Sequence, residues 1–171
     1  SDVYKRQIYE SLDGVEEVYS GYAGGTTINP NYYQVMSGKT GHAEAIEIIY
    51  DSSKVSFDTL LKVFFDSHNP TTPNRQGPDY GTQYRSIAFY NNQDEKNKIN
   101  NYISFLSTSS IFGKEIITEV KKIDKFYYAE EYHQDYEKKN PYNPYVQNVS
   151  IPRFNRFCLL YTSDAADDSL R

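Results

Sequence analysis

No tryptophan occurs among the 171 residues, and cysteine occurs once. A single Cys excludes an internal disulfide framework and fits a reducing compartment, so a cytoplasmic location is expected. No apolar run approaches membrane-spanning length, and no secretory signal is visible at the N-terminus. An excess of positive charge is missing as well. The formal net charge is −5, with both signs mixed along the chain, which speaks against nucleic acid or a membrane surface as a partner. Internal repeats and low-complexity runs are also lacking, so the length fits one domain with a sizeable core. What fills that core is aromatic: 18 Tyr and 9 Phe bring many hydroxyl donors close to any interior cavity.

The two ends have an unusual relationship. Back-translation of Ser1 to Gln7, SDVYKRQ, permits TCA GAT GTG TAT AAG AGA CAG. The reverse complement, read one base in, is TGT CTC TTA TAC ACA TCT GA, which encodes CLLYTS and then Asp or Glu. Cys158 to Asp164 reads CLLYTSD. The ends are thus compatible with the two strands of one DNA element, and they resemble a transposon-derived adapter used for sequencing libraries. Residues 1–7 and 158–171 are expected to be adapter translation, leaving 8–157 as a single domain whose beginning is cut away.

Within 8–157, Ile8, Tyr9 and Leu12 read as the last apolar positions of a helix ending at Gly14. Val15 to Tyr22 reads as a strand, broken by GYAGG at Gly21 to Gly25 into a long loop through Asn29, Pro30, Tyr32 and Tyr33. Ser56 is placed to cap a helix with a core stripe of Phe57, Leu60, Leu61, Phe64 and Phe65. From His68 to Gln83 the chain reads HNPTTPNRQGPDYGTQ, a loop long enough to suggest function. Tyr84 to Tyr90 follows as a strand. A helix from Gln93 buries Ile99, Tyr102, Ile103 and Leu106, and Ile116 to Val120 is the next strand. Phe126 to Asn140 reads as helical in its middle, and the chain beyond Pro141 as an irregular tail. This order predicts an α+β domain, a two-layer α/β sandwich with a mixed sheet.

The stretch GKTGHAEAIEIIYD, Gly38 to Asp51, raises the first chemical question. As a strand it places Glu44 on one face with Ile46, Ile48 and Tyr50. A carboxyl against apolar surface is costly to ionise, so it can carry a proton near neutral pH, as a general acid must. The plainer alternative is a Glu at a fraying strand start that reaches water. Tyr32, Asp79 and Tyr84, from two loops and a strand start, could join Glu44 in a polar cluster that donates to a substrate oxygen. Taken singly, each Tyr is better read as an ordinary rim or core aromatic.

Other chemistries have less behind them. His42 and Glu44 could share an ion on one strand face, and Glu130 and His133 could do so on one helix face, but a single Glu-x-x-His is a weak signal. Hydrogen-bonded structural histidines are the preferred reading, with no metal expected. GYAGG lacks the Lys and Ser or Thr of a phosphate-cradling loop, and no Gly-x-Ser-x-Gly elbow appears. A metal-dependent hydrolase ranks third, behind a module that binds a small polar ligand without chemistry.

Taken together, GYAGG at Gly21, GKTGHAEAIEIIYD at Gly38, FFDSHNPTTPNRQGPDYGTQYRS at Phe64 and FYYAEEYHQDYEKKNPY at Phe126 resemble the A-type peptide methionine sulfoxide reductases. The resemblance implies a ferredoxin-like core. It implies reduction of the S epimer of methionine sulfoxide, free or in proteins, by a monomer without a prosthetic cofactor, recharged by a thioredoxin- or glutaredoxin-like thiol. By resemblance Glu44 is the acid that binds and protonates the sulfoxide oxygen. Tyr32 and Tyr84 hydrogen-bond that oxygen, and Asp79 lines the same pocket. The family's nucleophile belongs to a Gly-Cys-Phe-Trp motif ahead of the first helix, and that motif is absent from this chain. Spacing counted back from Gly14 puts its Cys at or next to Ser1, inside the adapter segment. The preceding strand is missing too, which leaves a sheet position to fill and the first helix prone to fray. Asn143 to Phe157 has no resolving Cys, so direct reduction by an external thiol is expected. The chain as written is expected to be inactive.

Overall fold

The computed structural model describes residues 2–134, together with 142 and 144. The C-terminal tail expected beyond Pro141, apart from 142 and 144, lies outside the described residues. The element order mixes helices and strands, as an α+β domain requires: α1 (Asp2–Glu10), β1 (Val15–Ala23), α2 (Tyr32–Met36), β2 (Ala43–Tyr50) and α3 (Phe57–Asp66). There follow a small hairpin, β3 (Arg75–Gln76) and β4 (Asp79–Tyr80), a 3-10 turn at Thr82–Tyr84, β5 (Ile87–Tyr90), α4 (Gln93–Ser109), β6 (Glu119–Lys122) and β7 (Phe126–Tyr128). A last 3-10 turn spans Glu131–His133.

The apolar stripe of α3 organises the interior. The Ser56 hydroxyl accepts from the Thr59 N–H at 3.1 Å and starts the helix. Leu60 and Val63 then face one cluster, with Tyr4, Ile8 and Tyr9 of α1, Val18 of β1 and Val55. Leu61 and Phe65 face a second, with Ala88 of β5 and Ile99 and Leu106 of α4. Ile46, Ile48 and Tyr50 of β2 pack on the first cluster. On the other face, Glu47 accepts from the Tyr128 hydroxyl at 2.7 Å and Ile49 is exposed. The alternation read from the sequence therefore puts Glu44 on the core-facing side of β2.

Parallel and antiparallel pairing both occur, in separate sheets. An antiparallel sheet has the order β2-β1-β7, β5 and β6 pair in parallel, and β3 pairs β4. Residues of β2 and β5 line a cavity of about 280 Å³.

Four boundaries differ from the sequence expectation. Helix α1 stops at Glu10 rather than running to Gly14. Gly14, at φ 95°, instead makes the turn into β1, and its carbonyl accepts from the Asp51 N–H at 2.8 Å. Tyr32 and Tyr33 lie in a short helix rather than a loop, because Asn31 and Gln34 form a reciprocal capping box at 2.9 Å in each direction and Val35 is buried beneath it. Tyr84 closes a 3-10 turn, so the strand begins three residues later, and β6 starts at Glu119 instead of Ile116. Within Phe126 to Asn140, expected to be helical in its middle, the described residues form a strand at Phe126–Tyr128 and a 3-10 turn at Glu131–His133. Three consecutive aromatics suit a pleated surface, and the free side of β1 offers partners to them: Gly21, Tyr22 and Ala23 pair Tyr128, Tyr127 and Phe126.

That pairing explains the first Gly of GYAGG. A Cβ on Gly21 would lie 2.4 Å from the Tyr127 carbonyl oxygen and 2.4 Å from the Phe126 ring. Gly21→Ala should therefore destabilise the protein by about 1–3 kcal/mol, the usual cost of overpacking, because a paired backbone carbonyl cannot yield as a side chain does. A urea midpoint unchanged within error would show that β7 is not held in this register.

Candidate active site

The four residues singled out from the sequence arrive on four different elements. Glu44 is the second residue of β2, opposite Tyr22 of β1 in register. Tyr32 opens α2, Asp79 begins β4, and Tyr84 ends the 3-10 turn. All four are half-buried. The Tyr84 hydroxyl donates to the Met36 sulfur at 3.2 Å, which links the 3-10 turn to the helix that Tyr32 begins. The same turn packs against β2 and against β3. The turn that ends in Tyr84 therefore touches the strand of Glu44, the last residue of the helix that Tyr32 begins, and β3, the hairpin partner of the strand that Asp79 begins.

Arg85 fastens this arrangement. Its Nε donates to Glu119 at 3.1 Å, one Nη to the Thr82 carbonyl at 3.0 Å and the other to the Gly41 carbonyl at 3.0 Å. One planar, always-charged group thereby ties β6, the 3-10 turn and the loop entering β2.

Sequence reasoning missed Glu130, apart from weighing it as a metal ligand. Its Oε1 accepts from the Tyr32 N–H at 2.7 Å and its Oε2 from the Tyr22 hydroxyl at 3.0 Å. The carboxylate thus binds the first turn of α2 to β1, at the end of α2 where a negative charge is favoured. Its signal lay in the sequence as a carboxylate two residues after an aromatic run, but the helix expected there hid it. Gln134 does similar work: its amide bonds both the N–H and the carbonyl of Ser20, at 3.0 Å each, so a side chain continues the pairing along β1.

The histidines are structural in their bonding. His42 is buried, its Nδ1 accepting from the Gly25 N–H at 2.9 Å. That fixes the proton on Nε2, which donates to the Thr27 carbonyl at 2.7 Å. Both nitrogens are used in holding the GYAGG loop, and Gly25 approaches so closely that a Cβ there would fall 2.2 Å from the His42 backbone nitrogen. His68 lies against the rings of Phe64 and Phe65. Its Nδ1 donates to the Phe64 carbonyl at 2.5 Å, so Nε2 accepts from the Ser86 hydroxyl at 2.6 Å. Among the described residues no three His, Cys, Asp or Glu side chains group as a metal site would need. The side chain of His133 lies outside the described residues.

Two predictions follow from these bonds. Removing the Glu130 carboxylate, as in Glu130→Ala, leaves the Tyr32 N–H without its acceptor. The loss should cost about 1–3 kcal/mol, as for a hydrogen bond to a charged group, and should speed amide exchange selectively at Tyr32. Unchanged exchange there would remove Glu130 from α2. Burial, reinforced by the nearby Lys5 charge, holds the His68 pKa well below the ordinary 6.5, against a smaller opposing effect of the Phe64 carbonyl. The unfolded chain therefore takes up this proton first. The stabilisation from neutral His68 is complete above about pH 6.5 and is lost as pH falls from there toward the folded-state pKa. Thermal unfolding from pH 7.5 to 5 should show this loss, and His68→Gln should flatten it.

Residues 5–164 match the family model described as peptide methionine sulfoxide reductase. The chain is 50% identical over 145 residues to a peptide methionine sulfoxide reductase MsrA of Trichodesmium erythraeum, covering 85% of this chain and 81% of the relative. The corresponding protein of Nautilia profundicola is 48% identical over 150 residues, covering 88% of this chain and 85% of its own. Among solved structures, Mxr1 from Saccharomyces cerevisiae in reduced form superposes with a TM-score of 0.77 at 33% identity, covering 83% of this chain and 82% of that one. Methionine sulfoxide reductase A of Corynebacterium diphtheriae gives 0.74 at 32% identity, covering 84% and 74%. By that match and those identities the chain belongs to the peptide methionine sulfoxide reductases.

Proposed function

We propose that Glu44, Tyr32, Tyr84 and Asp79 form the sulfoxide pocket of a reductase acting on the S epimer of methionine sulfoxide, free or within oxidised proteins. The observation that carries this reading is the position of Tyr84. Its turn packs on the strand of Glu44, and its hydroxyl reaches Met36 of the helix that Tyr32 begins. Two phenols and a carboxyl drawn from these elements suit a polar, singly bonded oxygen that gains basicity as it leaves.

In the family's reaction methionine sulfoxide is reduced to methionine. Glu44 gives a proton to the sulfoxide oxygen while the tyrosines donate hydrogen bonds to it. Protonation makes the sulfur electrophilic, and a cysteine thiolate attacks it. Oxygen is transferred in the net step: the substrate sulfur gains two electrons and becomes a thioether, and the cysteine loses two and becomes a sulfenic acid. An external dithiol of the thioredoxin type then returns the sulfenic acid to thiol, forming a disulfide and water. No prosthetic group enters this scheme, and the protein is read as a cytoplasmic monomer.

The single Cys of the chain is Cys158. The same reading takes 8–157 as the reductase domain, 1–7 and 158–171 as adapter translation, and the nucleophile as belonging to a Gly-Cys-Phe-Trp segment in the parent gene. A hydroxyl near Ser1 has too high a pKa to replace a thiolate. A Cys codon in register in the upstream genomic DNA would support the enzyme, and its absence a non-catalytic ligand-binding module. The chain as written should not turn over methionine S-sulfoxide, and restoring the segment should produce turnover. In the restored protein Glu44→Ala should lower kcat by about 10²- to 10⁴-fold, the range for a positioned acid. Turnover by the chain as written, or a near-unchanged rate for Glu44→Ala, would overturn the respective assignment.

A further inference from the structure

Met36 is the only methionine of the chain, and its sulfur is where the Tyr84 hydroxyl donates, at 3.2 Å. It closes α2, the helix fixed at its start by the Asn31 and Gln34 capping box. Gln83, the residue before Tyr84, is buried and donates from Nε2 to the Met36 carbonyl at 3.4 Å. Backbone and side chain of Met36 are thus both tied to the turn that ends in Tyr84. Met36 is nevertheless only half-buried, and Ser37, Gly38 and Lys39 after it are exposed, so an oxidant as small as hydrogen peroxide can reach this part of the chain.

A thioether is polarizable but a weak acceptor, so this bond yields easily to a better one. Oxidation reverses that. The sulfur attacks one oxygen of hydrogen peroxide, the O–O bond breaks and an S–O bond forms. The sulfur loses two electrons, the peroxide gains them, and its second oxygen leaves with both protons as water. The sulfoxide oxygen is a strong acceptor, which binds a hydroxyl at about 2.7–2.8 Å. It is carried by the atom that Tyr84 already faces.

We propose that Met36 is an oxidation site whose sulfoxide captures the Tyr84 hydroxyl and so weakens the pocket for its own substrate. The weakening rests on the reading of Tyr84 as a donor to the substrate sulfoxide; the capture does not. With its thioether, Met36 shows Tyr84 the group that the family's reaction makes, and with its sulfoxide the group that the reaction consumes. A sulfoxide tethered on α2 competes at a high effective concentration with any that arrives from solution. A second reductase molecule acting on the S epimer, fed by a dithiol, reverses the change by returning two electrons and releasing the oxygen as water.

The single methionine makes the site readable, because a carbon-13 label on methionine methyls gives one signal from the chain. With Cys158 blocked by iodoacetamide, hydrogen peroxide should convert that signal to the sulfoxide's, and the proteolytic fragment bearing Met36 should gain the mass of one oxygen. A thioether that survives while N-acetylmethionine in the same solution is oxidised would overturn the site. Tyr84→Phe should lower the urea midpoint of the oxidised chain more than that of the reduced chain, and an equal loss in both would overturn the capture. The methylamide of N-acetylmethionine S-sulfoxide, titrated by calorimetry, should bind about tenfold more weakly after oxidation, the effect of one lost hydrogen bond. Met36→Leu, similar in volume, should bind it equally with and without peroxide, and a loss in that variant would place the effect elsewhere and overturn the proposal. Unchanged affinity of the oxidised chain would overturn the weakening. No binding by the reduced chain would overturn the pocket reading itself, and the urea midpoints would still decide the capture.

Discussion

The register of β1 against β2 is the constraint on which the rest depends. Eight residue pairs run from Val15 opposite Tyr50 to Ala23 opposite Ala43, with one irregularity between Val15 and Glu17. A slip of a single residue would turn Ile46, Ile48 and Tyr50 out of the core and Glu44 with them. Burial of those three side chains against α1 and α3 therefore does two things at once. It stabilises the sheet and it decides where the carboxylate of Glu44 points. The same ladder presents Gly21 to Ala23 on its other side, where β7 pairs and brings Glu130 within reach of α2.

Around that ladder the loops are held by side-chain groups that stand in for backbone partners. His42 satisfies Gly25 and Thr27, and Gln76 bonds both backbone groups of Asn69, at 3.0 and 2.7 Å. Gln134 does the same for Ser20, and Glu130 for Tyr32. Long Gly- and Pro-containing connections expose many N–H and carbonyl groups, which are costly to bury unpaired. His42, Gln76 and Gln134 each answer two such groups, and Glu130 answers one together with the Tyr22 hydroxyl.

Function of the family and geometry of the chain meet at β2. Its inner face is core, its first residues belong to the proposed pocket, and its free edge lines the cavity shared with β5. One strand thus links the packing of the interior to the proposed pocket at its end. Among the described residues β2 and β5 belong to separate sheets, and residues of both line that cavity.

Local signals carried most of the elements. The Ser56 cap and apolar stripe of α3, the helix from Gln93 and the alternation of β2 were all legible, since capping and periodicity act over a few residues. Long motifs such as GTQYRS and GHAE made the family readable as well. Elements decided by distant partners were not. Phe126 to Tyr128 became a strand because β1 had a free side, Gly14 became a turn because Asp51 and Val55 lie beside it, and Tyr84 left the strand for a turn tied down by Arg85. The sequence by itself determined which residues could do chemistry and which faces had to be buried, because residue type and spacing are local properties. Only the tertiary structure decided that Glu130 holds Tyr32 and that β2 and β5 look at each other across an open cleft, because those relations join residues 98 positions apart or lie between edges that no local pattern encodes.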